Sequence, residues 1–223
     1  LVGVLVELVA YRPVRRKGTS MSALITAIAM SLLLENLAQA IPAMGPNPRV
    51  IADEIFSTAP MSLGGVSVNM AAVITIVIAA VVMAALQIFV QKTKLGRAMR
   101  AVSENKEAST LVGINVNRTI VTTFAIGSGL AAVAALMYCA QYHTVTTTMG
   151  SMLGLKAFVA AVMGGIGLIP GAMLGGIVVG IIEALVTAYI SSSLANAVVF
   201  LILIVMLLVK PAGILGKNVG EKV

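Results

Sequence analysis

Glu35, Lys156 and Glu183 are ionisable residues set inside long apolar runs, and Asn36 and Gln39 stand close to the first of them. Ionisable groups at membrane depth are costly and usually face a bundle interior or a water-filled path. The chemistry they suggest is recognition and passage of a solute, not bond-making. Glu35 and Gln39 share a helix face at i,i+4, with Asn36 beside them. The three either line a translocation path or form a polar patch at the outer headgroup level, just before Pro42. Lys156 and Glu183 flank a glycine-rich stretch and are candidates for the same path; they either pair or snorkel separately. Catalytic groupings are missing. His143 is the only histidine and Cys139 the only cysteine, so no metal site and no internal disulfide is expected. Neither G-x-S-x-G nor H-E-x-x-H occurs, and Gly216-Lys217 lacks the spacing and the Ser/Thr of a phosphate-binding loop. The chain is therefore expected to be no enzyme and to hold no cofactor, with any ATP hydrolysis left to partners.

Such groups must be positioned by membrane-spanning elements. The sequence is 59% hydrophobic and 10% charged, with a mean hydropathy of +1.05, which excludes an ordinary soluble domain. Thr19–Ile41, Met70–Val90, Thr119–Ala140, Met152–Met163, Ala172–Ile190 and Leu194–Val209 are apolar runs, and a crossing takes about 20 residues at 1.5 Å rise each. Of the 15 Lys/Arg, all but Arg49 and Lys156 fall in Tyr11–Gly18, Lys92–Arg118 or the tail after Val209. The positive-inside bias accounts for this net charge of +7 and places the three clusters in the cytoplasm, without nucleic acid. Tyr11–Gly18 reads as a cytoplasmic loop. Pro42–Val68, rich in Pro and Gly, is an outer loop with a short strand or two around Met61–Val68. The expected fold is an all-α polytopic helical bundle of about six spans, a single transmembrane domain over residues 1–223.

Nine of the 21 glycines fall in Gly150–Gly180. Gly171/Gly175 and Gly176/Gly180 have the GxxxG spacing that lets helices pack closely in lipid, and Gly127, Ala131 and Ala135 repeat it in the preceding span. The run Gly164-Gly165-Ile166-Gly167-Leu168-Ile169-Pro170 interrupts the apolar pattern, so residues 152–171 hold a broken or re-entrant helix or a short full crossing. Only a full crossing keeps the basic tail inside.

The longest polar stretch, residues 92–118, carries six basic residues between two spans. Ser103 is a plausible N-cap, Glu104 and Glu107 suit a first turn, and Gly113 fits the left-handed position that closes a helix. In one such helix Ala101, Asn105, Ala108 and Val112 share a small face, with Arg97 and Arg100 alongside. A face of that kind suits docking on another protein; the bland reading is a solvated connector.

Gly96-Arg97-Ala98-Met99-Arg100-Ala101, with Asn105, Ala108 and Gly113-Ile114-Asn115, resembles the cytoplasmic loop of branched-chain amino-acid ABC transporter permeases of the high-affinity leucine/isoleucine/valine type. The resemblance continues through Tyr11-Arg12-Pro13-Val14-Arg15, Lys156-Ala157-Phe158, Gly164-Gly165-Ile166-Gly167, Pro170-Gly171-Ala172 and Pro211-Ala212-Gly213-Ile214-Leu215-Gly216. It implies that residues 92–118 are a coupling loop, with Gly96, Arg97, Arg100, Ala101, Asn105, Ala108 and Gly113 meeting an ATPase. It implies as partners a second permease subunit (identical or different), two cytoplasmic ATP-binding subunits and an extracytoplasmic solute-binding protein, in a bacterial inner membrane. Further helices upstream are also implied, and Leu1–Ala10 reads as the end of a helix begun earlier. The contrasting expectation is an ion-gradient-driven secondary transporter that uses Glu35, Lys156 or Glu183 as coupling groups.

Overall fold

The computed structural model describes residues 1–17, 20–41, 45, 47–50, 61–63, 66–210 and 212–216. They form two compact units, Leu1–Thr148 and Met149–Val223.

The first unit opens with Val2–Val6 (α1), a π-helical turn at Glu7–Tyr11, and Arg12–Lys17 (α2), without a gap between them. The basic cluster expected to be a loop is thus helical as far as Lys17. Pro13 explains both the continuation and its odd geometry. Its ring crowds the Val9 carbonyl and it has no N–H to donate there, so the turn widens and the Arg12 N–H bonds the Glu7 carbonyl five residues back. Ser20–Ala40 (α3) follows. Beyond it Arg49–Val50 (β1) pairs with the later Thr144–Val145 (β4), while the strands expected around Met61–Val68 are Met61–Leu63 (β2) and Val66–Val68 (β3), which pair antiparallel.

Asn69 caps Met70–Lys92 (α4) by accepting from the Ala71 N–H at 2.9 Å. Lys94–Glu104 (α5) and Lys106–Leu111 (α6) make up the polar segment, and Val116–Tyr142 (α7) crosses back. At 27 residues, about 40 Å, α7 exceeds a hydrocarbon core of about 30 Å and must tilt or protrude. His143 ends it at φ 52°, a left-handed conformation for which His is among the better-tolerated residues. The apolar windows of α4 and α7 bury no residue within the chain, as suits helices whose outward faces meet lipid or other membrane helices.

The second unit comprises Met149–Gly164 (α8), Ile169–Tyr189 (α9) and Ser192–Val209 (α10). Val159, Ala160, Met163, Val179 and Val199 form its core. The glycine run is the tight turn of an α8–α9 hairpin: Gly165 (φ 110°) and Gly167 (φ 91°) take conformations that side chains resist. The stretch after α10 returns to this turn. The Ile214 N–H donates to the Met163 carbonyl at 2.7 Å and the Leu215 N–H to Gly164 at 3.3 Å, capping carbonyls that α8 leaves open. Buried Gly213 (φ 80°) allows the contact, since a Cβ there would lie 2.6 Å from the Gly165 Cα. The α8–α9 turn therefore lies level with the end of α10, which fits a short full crossing by α8 better than a re-entrant one. Among the described residues four helices, α4, α7, α9 and α10, are long and apolar enough to cross a membrane, and α3 and α8 add shorter apolar stretches. The architecture is an all-α, multi-pass membrane bundle.

Candidate functional site

The polar segment is two capped helices with an elbow, not one helix. Thr93 makes the first turn: its hydroxyl donates to the Phe89 carbonyl (2.7 Å) and accepts from the Gly96 N–H (3.0 Å). Gly96 is buried where α5 folds back on α4; a Cβ there would lie 2.6 Å from the Phe89 carbonyl oxygen. Val102 is buried too, and Met99 lines an apolar cavity of about 210 Å³ between α4 and α7, whose other walls include Phe89, Ile126 and Gly127. Gly127 faces that space and not a neighbouring helix, so the small-residue repeat of α7 makes no tight contact there.

Asn105 makes the elbow. Its backbone is extended (φ −151°, ψ 112°), and its side-chain oxygen accepts from the N–H groups of Glu107 and Ala108, each at 3.0 Å. The cap expected at Ser103 is therefore at Asn105. Ser103 instead donates to the Arg100 carbonyl inside α5, where its hydroxyl is already used. Ala101 and Asn105 consequently do not continue one helical face with Ala108 and Val112. Gly113 does close the second helix, at φ 83°: its N–H bonds Thr110 and the Ile114 N–H bonds Ser109, the two bonds of a Schellman motif. The result is a tip capped at both ends. Ala108 is exposed, and Leu111 and Val112 are 88% and 75% exposed in an otherwise polar segment. Arg97 and Arg100 are exposed on α5, Ala101 is half-buried, and Ser109 is buried.

The intramembrane polar residues separate into two places. In α3, Asn36 is exposed and donates to its own helix at the Leu32 carbonyl (2.7 Å), while Glu35 and Gln39 are half-buried. In the second unit Lys156 and Glu183 pair, Nζ to Oε1 at 2.6 Å, across α8 and α9. The glycines also divide. Gly171 and Gly175 touch the α8 backbone: a Cβ on Gly175 would lie 2.9 Å from the Gly164 nitrogen, and one on Gly171 3.0 Å from the Gly164 carbonyl carbon. Their counterpart is a second small-x-x-x-small pair, Ala160 and Gly164, which could have been read from its spacing. A Cβ on Gly176 would meet only the Ala160 Cβ, at 4.0 Å, and one on Gly180 would meet nothing.

A charged group that the sequence reading passed over is Glu7. It is fully buried, with Arg15 Nη1 2.8 Å from its Oε1 but not aligned as a hydrogen bond. Arg15 also donates to the Asn117 side chain in the first turn of α7 at 3.1 Å, so it ties the basic end of the first helix to the end of the polar segment. Tyr11 packs on Phe124 with ring centroids 5.1 Å apart and the rings tilted by 51°; burial, and then the Glu7 charge, push its hydroxyl pKa above the ordinary value.

Apolar helices closed by short polar turns, with one amphipathic elbow between two of them, define a multi-pass membrane protein. The family described as "Branched-chain amino acid transport system / permease component" matches residues 1–209, and the chain belongs to it. It is 40% identical to the high-affinity branched-chain amino acid transport system permease protein BraD of Pseudomonas aeruginosa, over 99% of this chain and 72% of that protein. The permease proteins LivH of Escherichia coli K12 (43%) and of Salmonella typhimurium (42%) match over 98% of this chain and 71% of theirs. No solved structure matches the chain.

Proposed function

We propose that the chain is the membrane-spanning subunit of an ABC importer that moves branched-chain amino acids inward across the bacterial inner membrane, powered by ATP hydrolysed on separate subunits. The observation that carries this reading is the capped tip of α6, where exposed Ala108, Leu111 and Val112 project from a basic segment between two spans. A solvated connector gains nothing from such apolar exposure, whereas a groove on an ATPase would cover it. Gly96 and Asn105 act within the elbow itself, one by close packing and one by capping. Arg97 and Arg100 form a charged rim. A second permease subunit and two ATP-binding subunits are the partners, with a solute-binding protein outside; the outer loop, residues 42–68, lies largely outside the described residues.

Ala108→Trp should block docking, so that leucine uptake and stimulation of ATP hydrolysis are both lost while membrane insertion is normal. Arg97→Glu and Arg100→Glu should weaken both in a salt-dependent way. Normal uptake with normal ATPase stimulation in Ala108→Trp would retire the docking role. Competition of labelled leucine uptake by isoleucine and valine, but not by amides or urea, checks the solute class.

The orientation is checked by single cysteines in a Cys139→Ala background. Thr110 is the useful inner position, because Ser109 is buried, and Gln141 at the far end of α7 is the outer one. An impermeant maleimide should label Gln141→Cys in whole cells and spare Thr110→Cys; the reverse pattern overturns the topology.

A further inference from the structure

We propose that the Lys156–Glu183 ion pair is a partner-exchange site for the zwitterionic head group of an amino acid in transit, a role that rests on reading the chain as an amino-acid permease. These two residues are the only charged ones in α8, α9 and α10, and they pair at 2.6 Å. Measured from the α8–α9 turn at 1.5 Å per residue, Lys156 lies about 12 Å and Glu183 about 21 Å along their helices. With the α8–α9 turn at the edge of a hydrocarbon core of about 30 Å, the pair falls near its middle. Its side chains keep 23% and 35% of their exposure, so one flank is open, while Val159, Ala160 and Val179, a turn away on the same two helices, are buried.

An α-amino acid carries an ammonium and a carboxylate on one carbon. When it meets the pair, the Lys156 ammonium takes the substrate carboxylate and the Glu183 carboxylate takes the substrate ammonium. No charge is left alone in the low-dielectric region and the net charge stays zero, so the head group crosses without the cost of stranding an ion. The apolar neighbours Val159, Ala160 and Val179 suit an aliphatic side chain. A purely mechanical clamp is the other explanation for the pair. The α8–α9 hairpin already has one, in Gly171 and Gly175 packed on Ala160 and Gly164 nearer the turn.

The test uses the complete transporter in proteoliposomes with its binding protein and ATPases. The double variant Lys156→Met with Glu183→Gln removes both charges and strands neither. Leucine uptake should fall about tenfold or more, with complex yield and ATPase stimulation by the binding protein within about twofold of wild type. Wild-type leucine uptake in that variant would overturn the exchange site and leave a clamp. If the neutral pair fails to assemble, Lys156→Arg with Glu183→Asp decides, since it keeps both charges but changes their reach. The exchange site predicts about threefold or greater loss of uptake at unchanged ATPase stimulation, and unchanged uptake overturns it. A wild-type complex that takes up no leucine would instead sink the amino-acid substrate reading on which the inference rests.

Discussion

Gly175→Leu should abolish recovery of a folded, detergent-stable protein, while Gly180→Leu should leave the yield near wild type. The two positions look alike in the sequence, each one half of a GxxxG spacing. In the structure a Cβ on Gly175 would lie 2.9 Å from the Gly164 nitrogen, whereas one on Gly180 would meet nothing within 4 Å. Backbone atoms of a packed helix cannot give way as a flexible side chain can. Overpacking costs typically about 1–3 kcal/mol even where side chains can rearrange, so a clash with backbone belongs above that range. Helices in lipid also associate largely through close packing, and separating α8 from α9 removes that contribution. Gly176→Ala is the intermediate case and should be tolerated, because its nearest neighbour is the Ala160 methyl at 4.0 Å. Equal yields for Gly175→Leu and Gly180→Leu, measured by size-exclusion chromatography in detergent, would remove the basis for assigning the close contact to Gly175.

Arg15→Ala should be the most damaging single change at the basic end of the first helix. Glu7 is fully buried, and Arg15 is the cation within ion-pair distance among the described residues. Removing one partner of a buried pair leaves an uncompensated charge and costs about 3–5 kcal/mol, a large part of a stability of about 5–15 kcal/mol. It also removes the hydrogen bond from Arg15 to Asn117 that ties this end to α7. The melting temperature of the purified protein should drop sharply. Glu7→Leu combined with Arg15→Met should restore most of it, because replacing both charges by apolar groups of similar size is often neutral. A double variant as unstable as Arg15→Ala would show that the loss comes from packing and not from the stranded carboxylate.

Much of the architecture was legible because hydropathy and charge are sums over neighbouring residues. A run such as Met70–Val90 must be a helix where it crosses a bilayer, since a lone segment satisfies all its own backbone groups without water only as a helix. The closure at Gly113 and the short strands at Met61–Leu63 and Val66–Val68 were readable for a related reason, each being set by a few adjacent residues. Where two local signals compete, that kind of reading loses its resolution. Ser103 and Asn105 are both good caps, and the helix starts at Asn105 because α5 holds Ser103 within its own last turn.

The remaining assignments depended on what stands opposite. Gly171 and Gly175 differ from Gly176 and Gly180 only in which face of α9 meets α8. Lys156 and Glu183 lie 27 residues apart, and only the α8–α9 hairpin brings their charges together. Glu7 reads as one more residue in an apolar run until α1 packs on α7, where Gly3 meets Ser128 and the carboxylate is enclosed beside Arg15. Ala212–Gly216 reads as a tail, yet its N–H groups cap α8. Local sequence fixes where the chain is apolar and where it turns. Contact, burial and pairing are relations between distant segments, settled only when their backbones come within a few ångströms of each other.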